Sequence, residues 1–120
     1  MIGIDIVEVE RFEKHSKDDI FVQKHFNLSE VAYLSQKGVG FHQSLAGLFA
    51  CKEAVLKALK IGIGKQLQLK DIEVLHDQNG APYVLINDKI KKILKSINKT
   101  EINVSISHSN KIAISICEII

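Results

Sequence analysis

The sequence SLAGLFACKEAVLKAL, residues 44–59, decides the fold. Its bulky apolar residues recur at intervals of three, four or seven positions, which is the spacing of one face of an α-helix. No proline interrupts this pattern over about four helical turns. We therefore predict a long buried helix from Ser44 to Leu59. Its apolar face consists of Leu45, Leu48, Phe49, Val55, Leu56 and Leu59.

One lysine lies within this apolar face. At a rotation of about 100° per residue, Lys52 falls between Phe49 and Leu56. Two interpretations of this position stay open. Either the aliphatic stem packs in the core while the ammonium reaches solvent at the rim, or the ammonium binds an anion.

A carboxylate and a second lysine lie on the flank of the same helix. Glu53 and Lys57 are one turn apart and would form a surface ion pair worth about 0.3 kcal/mol. The same flank also suits a metal with a phosphorylated ligand, because Mg²⁺ commonly takes only one or two protein carboxylates and completes its shell with water and phosphate oxygens. The residues beside them are small: Ala46, Gly47, Ala50, Ala54 and Ala58.

The N-terminal segment IGIDIV, residues 2–7, alternates with the period of a β-strand. Ile2, Ile4 and Ile6 share one face, so Asp5 lies off the apolar face of the predicted strand. The remaining patterns predict an α+β protein. The further predicted elements are short helices within residues 8–26 broken near 16–19, a helix capped by Ser29 and ending near Gly38, a hairpin of 72–75 with 83–86 around the turn DQNG, a helix capped by Asp88, and strands Ile102–His108 and Ile112–Ile119.

Composition limits the classes of function. The chain has 120 residues, 46% of them hydrophobic, which suits one globular domain spanning residues 1–120. A net charge of +2 is too balanced to indicate a nucleic-acid binder. No apolar run approaches the roughly 20 residues of a membrane-spanning helix, and the N-terminal MIGIDIVEVE has neither the basic region nor the sustained apolar run of a signal peptide. With Cys51 and Cys117 standing singly, we expect a cytoplasmic location.

Three blocks of the sequence resemble the holo-acyl-carrier-protein synthase family, the small single-domain type of 4′-phosphopantetheinyl transferase. They are GIDIVEVERF (3–12), FACKEAVLKAL (49–59) and VSISHS (104–109). The resemblance implies an antiparallel sheet packed with a long central helix. It also implies that the protein transfers 4′-phosphopantetheine from coenzyme A to a serine of apo acyl carrier protein, in fatty acid biosynthesis, and leaves adenosine 3′,5′-bisphosphate. Members of this size form homotrimers with active sites at the subunit interfaces.

The resemblance also implies a role for individual residues. Asp5 and Glu53 would bind Mg²⁺, and Lys57 would lie beside the coenzyme A pyrophosphate. His108 would join the site from a neighbouring subunit, and Arg11 would contact the acidic carrier protein. The residues expected near the nucleotide are Lys52, Gly62 and Gly64.

Two positions depart from the family pattern. Many relatives carry an arginine where Leu48 stands and a threonine where Ile61 stands. Contacts to the 3′-phosphate of the nucleotide are therefore expected from other residues. The candidates are Lys37, His42 and Lys65.

The general base and two rival functions stay open. The base could be a metal-associated water, one of the two carboxylates, or His108. One rival is a non-catalytic trimeric module that binds coenzyme A or an acidic protein, and the other is a metal-dependent phosphoesterase. A Ser/His hydrolase is disfavoured, because the serines beside His108 point to the opposite face of a strand and no nucleophile elbow surrounds them.

Overall fold

The computed structural model describes residues 1–61 and 66–120. Its elements confirm the predicted α+β class, and short 3₁₀ turns at Val9–Phe12, Gly38–Gly40 and Leu69–Asp71 join some of them. In chain order the strands and helices are β1 (Ile2–Glu8), α1 (Ile20–His25), α2 (Leu28–Ser35), α3 (Phe41–Leu59), β2 (Val74–His76), β3 (Pro82–Val84), α4 (Asp88–Ser96), β4 (Ile102–His108) and β5 (Ile112–Ile119).

Helix α3 is the predicted buried helix and packs across an antiparallel sheet of strand order β1-β5-β4. It starts three residues earlier than predicted, at Phe41, because the preceding Gly40 ends a 3₁₀ turn and the chain continues directly into the helix. Every position from Leu45 to Lys52 is buried. Within the part of the chain that the structure describes, no helix is long and apolar enough to cross a membrane.

Strand β1 packs against α3 through the face opposite its isoleucines. Ile2, Ile4 and Ile6 are 64%, 53% and 59% exposed. Gly3 lies against the helix so closely that an added Cβ would be 2.1 Å from the carbonyl oxygen of Ala54. The predicted alternation is thus confirmed, but the apolar face of the strand is the outer one. Only glycine fits at this position, so the close contact between the two backbones determines which face of β1 packs against α3.

Two helix caps differ from the predicted ones. Asn27, rather than Ser29, caps α2, because Asn27 and Glu30 satisfy one another's free backbone groups in a capping box. Asn87, rather than Asp88, caps α4, where its Oδ1 accepts a hydrogen bond from the backbone N–H of Ile90 at 2.9 Å.

The predicted hairpin is β2 with β3, displaced by one or two residues from the predicted bounds. Its turn is the predicted DQNG, in which Asp77 Oδ1 accepts hydrogen bonds from the backbone N–H groups of Asn79 and Ala81. Gly80 has φ +82°, a conformation that favours glycine. The hairpin lies beside β4, so it covers the edge of the main sheet that is remote from β1.

Candidate active site

Asp5 and Lys57 meet where β1 crosses the C-terminal half of α3. The ammonium of Lys57 donates to Asp5 Oδ1 at 2.9 Å and to the carbonyl oxygen of Ile4 at 3.1 Å. The second carboxylate oxygen, Asp5 Oδ2, is buried. Among the described residues it is the only buried side-chain nitrogen or oxygen without a hydrogen-bond partner. A buried carboxylate oxygen without a donor is costly, so it marks a position suited to a cation.

Glu53 approaches the same point from α3. Burial raises the pKa of Glu53, and the Asp5 carboxylate raises it further, while Lys57 and Arg11 act in the opposite direction. The two carboxylates are therefore close enough to repel each other, which the sequence alone did not show. The alternative of a Glu53–Lys57 surface pair is wrong, because the lysine bonds to Asp5 instead.

The donor set fits Mg²⁺. The charges of two carboxylates from different elements act on each other, and one of their oxygens is orphaned. Across residues 1–61 and 66–120, no cluster of three or more His, Cys, Asp or Glu side chains forms a complete protein cage for a metal. Mg²⁺ suits such a sparse set, since water and phosphate oxygens usually supply most of its six ligands.

Lys52 points away from this site and into the core. Its ammonium is fully buried and donates to Glu30 Oε1 at 2.7 Å. It also donates to the carbonyl oxygens of Leu69 at 3.1 Å and Ile72 at 2.8 Å. Burial lowers the pKa of Lys52, and the Glu30 carboxylate opposes that shift. Three acceptors around one nitrogen match the three N–H groups of a charged ammonium.

The solvent-rim interpretation of the Lys52 ammonium is therefore wrong and the anion interpretation is confirmed, while a place for Lys52 near the nucleotide stays a prediction. Its anion partner is a carboxylate of the same chain, and its three donors are used within the protein. Glu30 was missed as a partner, because nothing in the sequence separates it from the other acidic residues. The remaining two predicted nucleotide contacts, Gly62 and Gly64, lie outside the described residues, as does Lys65.

His108 lies at the end of β4, over the N-terminal half of α3. A Cβ added at Gly47 would be 4.0 Å from His108 Cδ2. The histidine lines a cavity of about 170 Å³, and neither Asp5 nor Glu53 is among the described residues that form its wall. Within one chain, His108 and the carboxylate pair are thus at separate sites.

Aromatic residues that the sequence did not single out form another wall of this cavity. The rings of Tyr33 and His76 stack with their centroids 3.8 Å apart and their planes 6° apart. Lys37 lies over the other side of Tyr33, with its ammonium 4.4 Å from the ring centroid. Leu48 also lines the cavity, whereas His42 Nε2 contacts the carbonyl oxygen of His15 elsewhere. Of the two candidates within the described residues, Lys37 is the one that contacts a wall residue of this cavity.

Arg11 follows β1 and lies beside the carboxylate pair. Its guanidinium is 5.4 Å from the ring centroid of Phe12 and 5.1 Å from that of Phe49. The charge of Arg11 also acts on Glu53. The side chain is exposed, so it presents a positive charge to solvent at the rim of the candidate metal site.

The strand aspartate, the helix glutamate and the lysine one turn later all fall within the match to a known family. The profile of the 4′-phosphopantetheinyl transferase superfamily matches residues 1–117. The chain belongs to this superfamily. The resemblance stated from the three sequence blocks is thereby confirmed.

Individual phosphopantetheinyl transferases align over nearly the whole chain. Holo-[acyl-carrier-protein] synthase of Caldicellulosiruptor saccharolyticus is 43% identical over 95% of this chain and 90% of its own length. The enzyme of the same name from Alkaliphilus metalliredigens is 44% identical over 95% and 93%. The crystal structure of Helicobacter pylori holo-[acyl-carrier-protein] synthase in complex with coenzyme A has 34% identity and a TM-score of 0.81, and 99% of each chain is covered. These matches confirm the predicted fold.

Proposed function

We propose that this chain is a Mg²⁺-dependent holo-acyl-carrier-protein synthase. It transfers the 4′-phosphopantetheine arm of coenzyme A to a serine of apo acyl carrier protein and serves fatty acid biosynthesis. The serine oxygen loses its proton to a general base and forms a bond to the β-phosphorus, the bond from that phosphorus to the bridging oxygen breaks, and adenosine 3′,5′-bisphosphate leaves. The contact of Lys57 with Asp5, together with the charge of Glu53 that interacts with both, carries this proposal. Membership of the superfamily supports it.

Each residue of the site has a role that follows from its position. Asp5 and Glu53 would hold the Mg²⁺ ion, which when bound supplies positive charge against the pyrophosphate oxygens. Lys57 is exposed and has a flexible stem, so its ammonium reaches an anion placed beside the two carboxylates. There it stabilises negative charge that develops on the leaving phosphate.

The exposed isoleucines support the proposed homotrimer. Ile2, Ile4 and Ile6 of β1 lie on the outer face of the sheet with Ile112 and Ile116 of β5, and all five are exposed in the single chain. We call these residues the isoleucine face. A contiguous apolar surface of this kind is typical of a protein interface. Since His108 and the carboxylates are separate within one chain, a site at a subunit interface would let His108 of one subunit serve the carboxylates of another.

Replacing Ile4 by glutamate is expected to convert the assembly to monomers. The substitution places a charge in the centre of the isoleucine face, and three copies would bury charges of the same sign. Light scattering coupled to size exclusion measures the mass. Val39→Glu is the matched control, because Val39 is also exposed and apolar but lies outside the isoleucine face. An Ile4→Glu protein that keeps the mass of the wild type would contradict the proposed interface.

Replacing Arg11 by glutamine is expected to lower kcat/KM for the carrier protein by about threefold to tenfold, and to weaken its dependence on salt. The reason is that an exposed rim charge mainly accelerates the encounter with an acidic partner. Steady-state kinetics at two ionic strengths provide the measurement, and Lys92→Gln on α4 is the control. An equal loss for coenzyme A and for the carrier would instead assign Arg11 to the metal site.

One assay tests the proposed activity against both rivals. The protein is incubated with coenzyme A, Mg²⁺ and an apo acyl carrier protein, and the carrier is weighed by mass spectrometry. A mass increase equal to one phosphopantetheine group is the expected result. An unchanged carrier mass with bound coenzyme A would favour the non-catalytic module. Release of free phosphopantetheine in the absence of carrier would favour the phosphoesterase.

The proposed location is the cytoplasm, and residues 1–120 are proposed to act as one domain. Cys51 and Cys117 are both free and buried. Burial raises the pKa of Cys51 to about 11 and that of Cys117 to about 12, so neither thiol is activated for redox chemistry. Two unpaired thiols in the core agree with a reducing compartment.

A further inference from the structure

We infer that Lys57 pairs with Asp5 when no metal is bound, and leaves it for the pyrophosphate when a divalent cation binds at the free oxygen of the same carboxylate. One side chain would then couple metal binding to capture of the phosphorylated substrate. This inference rests on the proposed function, because it concerns the same site. It goes beyond that function by giving Lys57 two successive partners.

The two members of the Asp5–Lys57 ion pair differ in their freedom to move. The Lys57 side chain is 54% exposed, whereas that of Asp5 is 12% exposed. Among the described residues, the ammonium donates hydrogen bonds to Asp5 and to the neighbouring carbonyl oxygen of Ile4 alone. Lys52 shows the contrast on the same helix, since it is fully buried and bonded to three acceptors. Lys52 is fixed by its surroundings, and Lys57 is free to change partner.

The charges at the site explain why a cation belongs there in the metal-free state. Asp5 and Glu53 lie close enough to raise the pKa of Glu53. The ammonium of Lys57 reduces this repulsion, but it satisfies only one of the two oxygens of Asp5. A divalent cation carries twice the charge and accepts several oxygen ligands at once. Because the metal and the ammonium repel each other, a metal bound at Oδ2 weakens the contact of Lys57 with Oδ1 of the same carboxylate.

Displacement of Lys57 from Asp5 should cost little free energy. It should change the affinity of the site for both the metal and coenzyme A. A partly exposed ion pair contributes only about 0–1 kcal/mol, so a metal can break it readily. Once released, the ammonium is available to the anionic pyrophosphate. Coupling of this kind is reciprocal: the metal strengthens coenzyme A binding, and coenzyme A strengthens metal binding by the same factor.

Lys57→Met removes the competing cation and keeps the length of the side chain. We expect it to bind Mn²⁺ alone about threefold to tenfold more tightly than the wild type, the range that loss of a partly exposed pair and its charge allows. We also expect coenzyme A to strengthen Mn²⁺ binding less in the variant than in the wild type. Titration of Mn²⁺ by electron paramagnetic resonance, with and without coenzyme A and with no carrier protein, measures both effects without turnover.

Two further variants make this test specific. Lys57→Arg keeps a cation at the position and should restore the affinity of the wild type for Mn²⁺. Lys60→Gln removes an exposed lysine three residues away and should leave that affinity within about twofold of the wild type, since exposed charges are screened. Circular dichroism of each variant establishes that it is folded.

The outcomes separate this inference from the proposed function. If folded Lys57→Met binds Mn²⁺ no more tightly than the wild type, the displacement of Lys57 is overturned while the metal site stands. If the wild type binds Mn²⁺ no better than Asp5→Asn, the metal site itself fails and the displacement fails with it. Tighter binding by Lys57→Met together with a smaller effect of coenzyme A supports the inference.

Discussion

Replacing Glu53 by glutamine is expected to reduce phosphopantetheine transfer at least about a thousandfold. The change removes one of the two carboxylates available to Mg²⁺ and leaves the shape of the side chain nearly unchanged. Charge stabilisation by a bound metal is worth several kcal/mol in a transition state, and about 1.4 kcal/mol corresponds to each factor of ten in rate. The fold should survive, because within the described part of the chain the Glu53 side chain makes no hydrogen bond, and its ionised form is already disfavoured by burial.

The measurement is the time course of carrier mass at saturating coenzyme A, with Mg²⁺ varied over a wide range. Glu101→Gln is the matched control, since Glu101 is exposed and lies at the start of β4, away from β1 in the sheet. It should transfer at the rate of the wild type. A folded Glu53→Gln protein with nearly full activity would contradict the assignment of Glu53 as a metal ligand.

Replacing Lys52 by methionine is expected to lower the free energy of unfolding by about 3–5 kcal/mol, because it leaves the buried carboxylate of Glu30 without its partner. Glu30 is fully buried and accepts hydrogen bonds from the backbone N–H groups of Asn27 and Val74. The ammonium also holds the carbonyl oxygens of Leu69 and Ile72. A domain of this size has a total stability of about 5–15 kcal/mol, so the loss is a large fraction of the whole.

Urea unfolding at a fixed protein concentration, followed by circular dichroism, measures this loss. The double variant Lys52→Met with Glu30→Gln is expected to recover part of it, since no charge then remains buried without a partner. Lys57→Met is the control on the same helix and should change the free energy of unfolding by less than about 1 kcal/mol, because its ion pair is partly exposed. An unchanged urea midpoint for Lys52→Met would refute the proposed role of the pair in stability.

The sequence patterns predicted best those elements in which bulky side chains alternate or recur regularly over the full length of the element. Strands Ile102–His108 and Ile112–Ile119 have the predicted bounds, because bulky and small residues alternate over their full length. The long helix was found for the same reason, with an error of three residues at its start. The caps at Asn27 and Asn87 were misplaced by one or two residues, since several polar residues precede each helix and only geometry selects among them.

Contacts between residues that are distant in the sequence determined the features that the sequence patterns did not predict. Alternation in β1 separated Asp5 from the isoleucines, but the close approach of Gly3 to Ala54 determined which face is buried. The apolar stripe of α3 showed that Lys52 needed an explanation, and its partner Glu30 is 22 residues earlier in the chain. Asp5 and Glu53 were paired by resemblance before the structure brought them together, because residues so far apart in sequence carry no local signal of contact.

The contact between Gly3 and α3 has a consequence for ion selectivity. Asp5 is two residues beyond Gly3 on the strand, and Glu53 directly precedes Ala54 on the helix. With an added Cβ only 2.1 Å from the carbonyl oxygen of Ala54, main-chain atoms set the spacing between strand and helix, and no compressible side chain lies between them. The backbone segments that carry the two carboxylates, which we call the frame of the site, are thus held at a nearly fixed separation. Ca²⁺ prefers larger and more adaptable cages, whereas Mg²⁺ demands short, regular coordination, so with this frame at the proposed metal site we expect Mg²⁺ to be preferred over Ca²⁺.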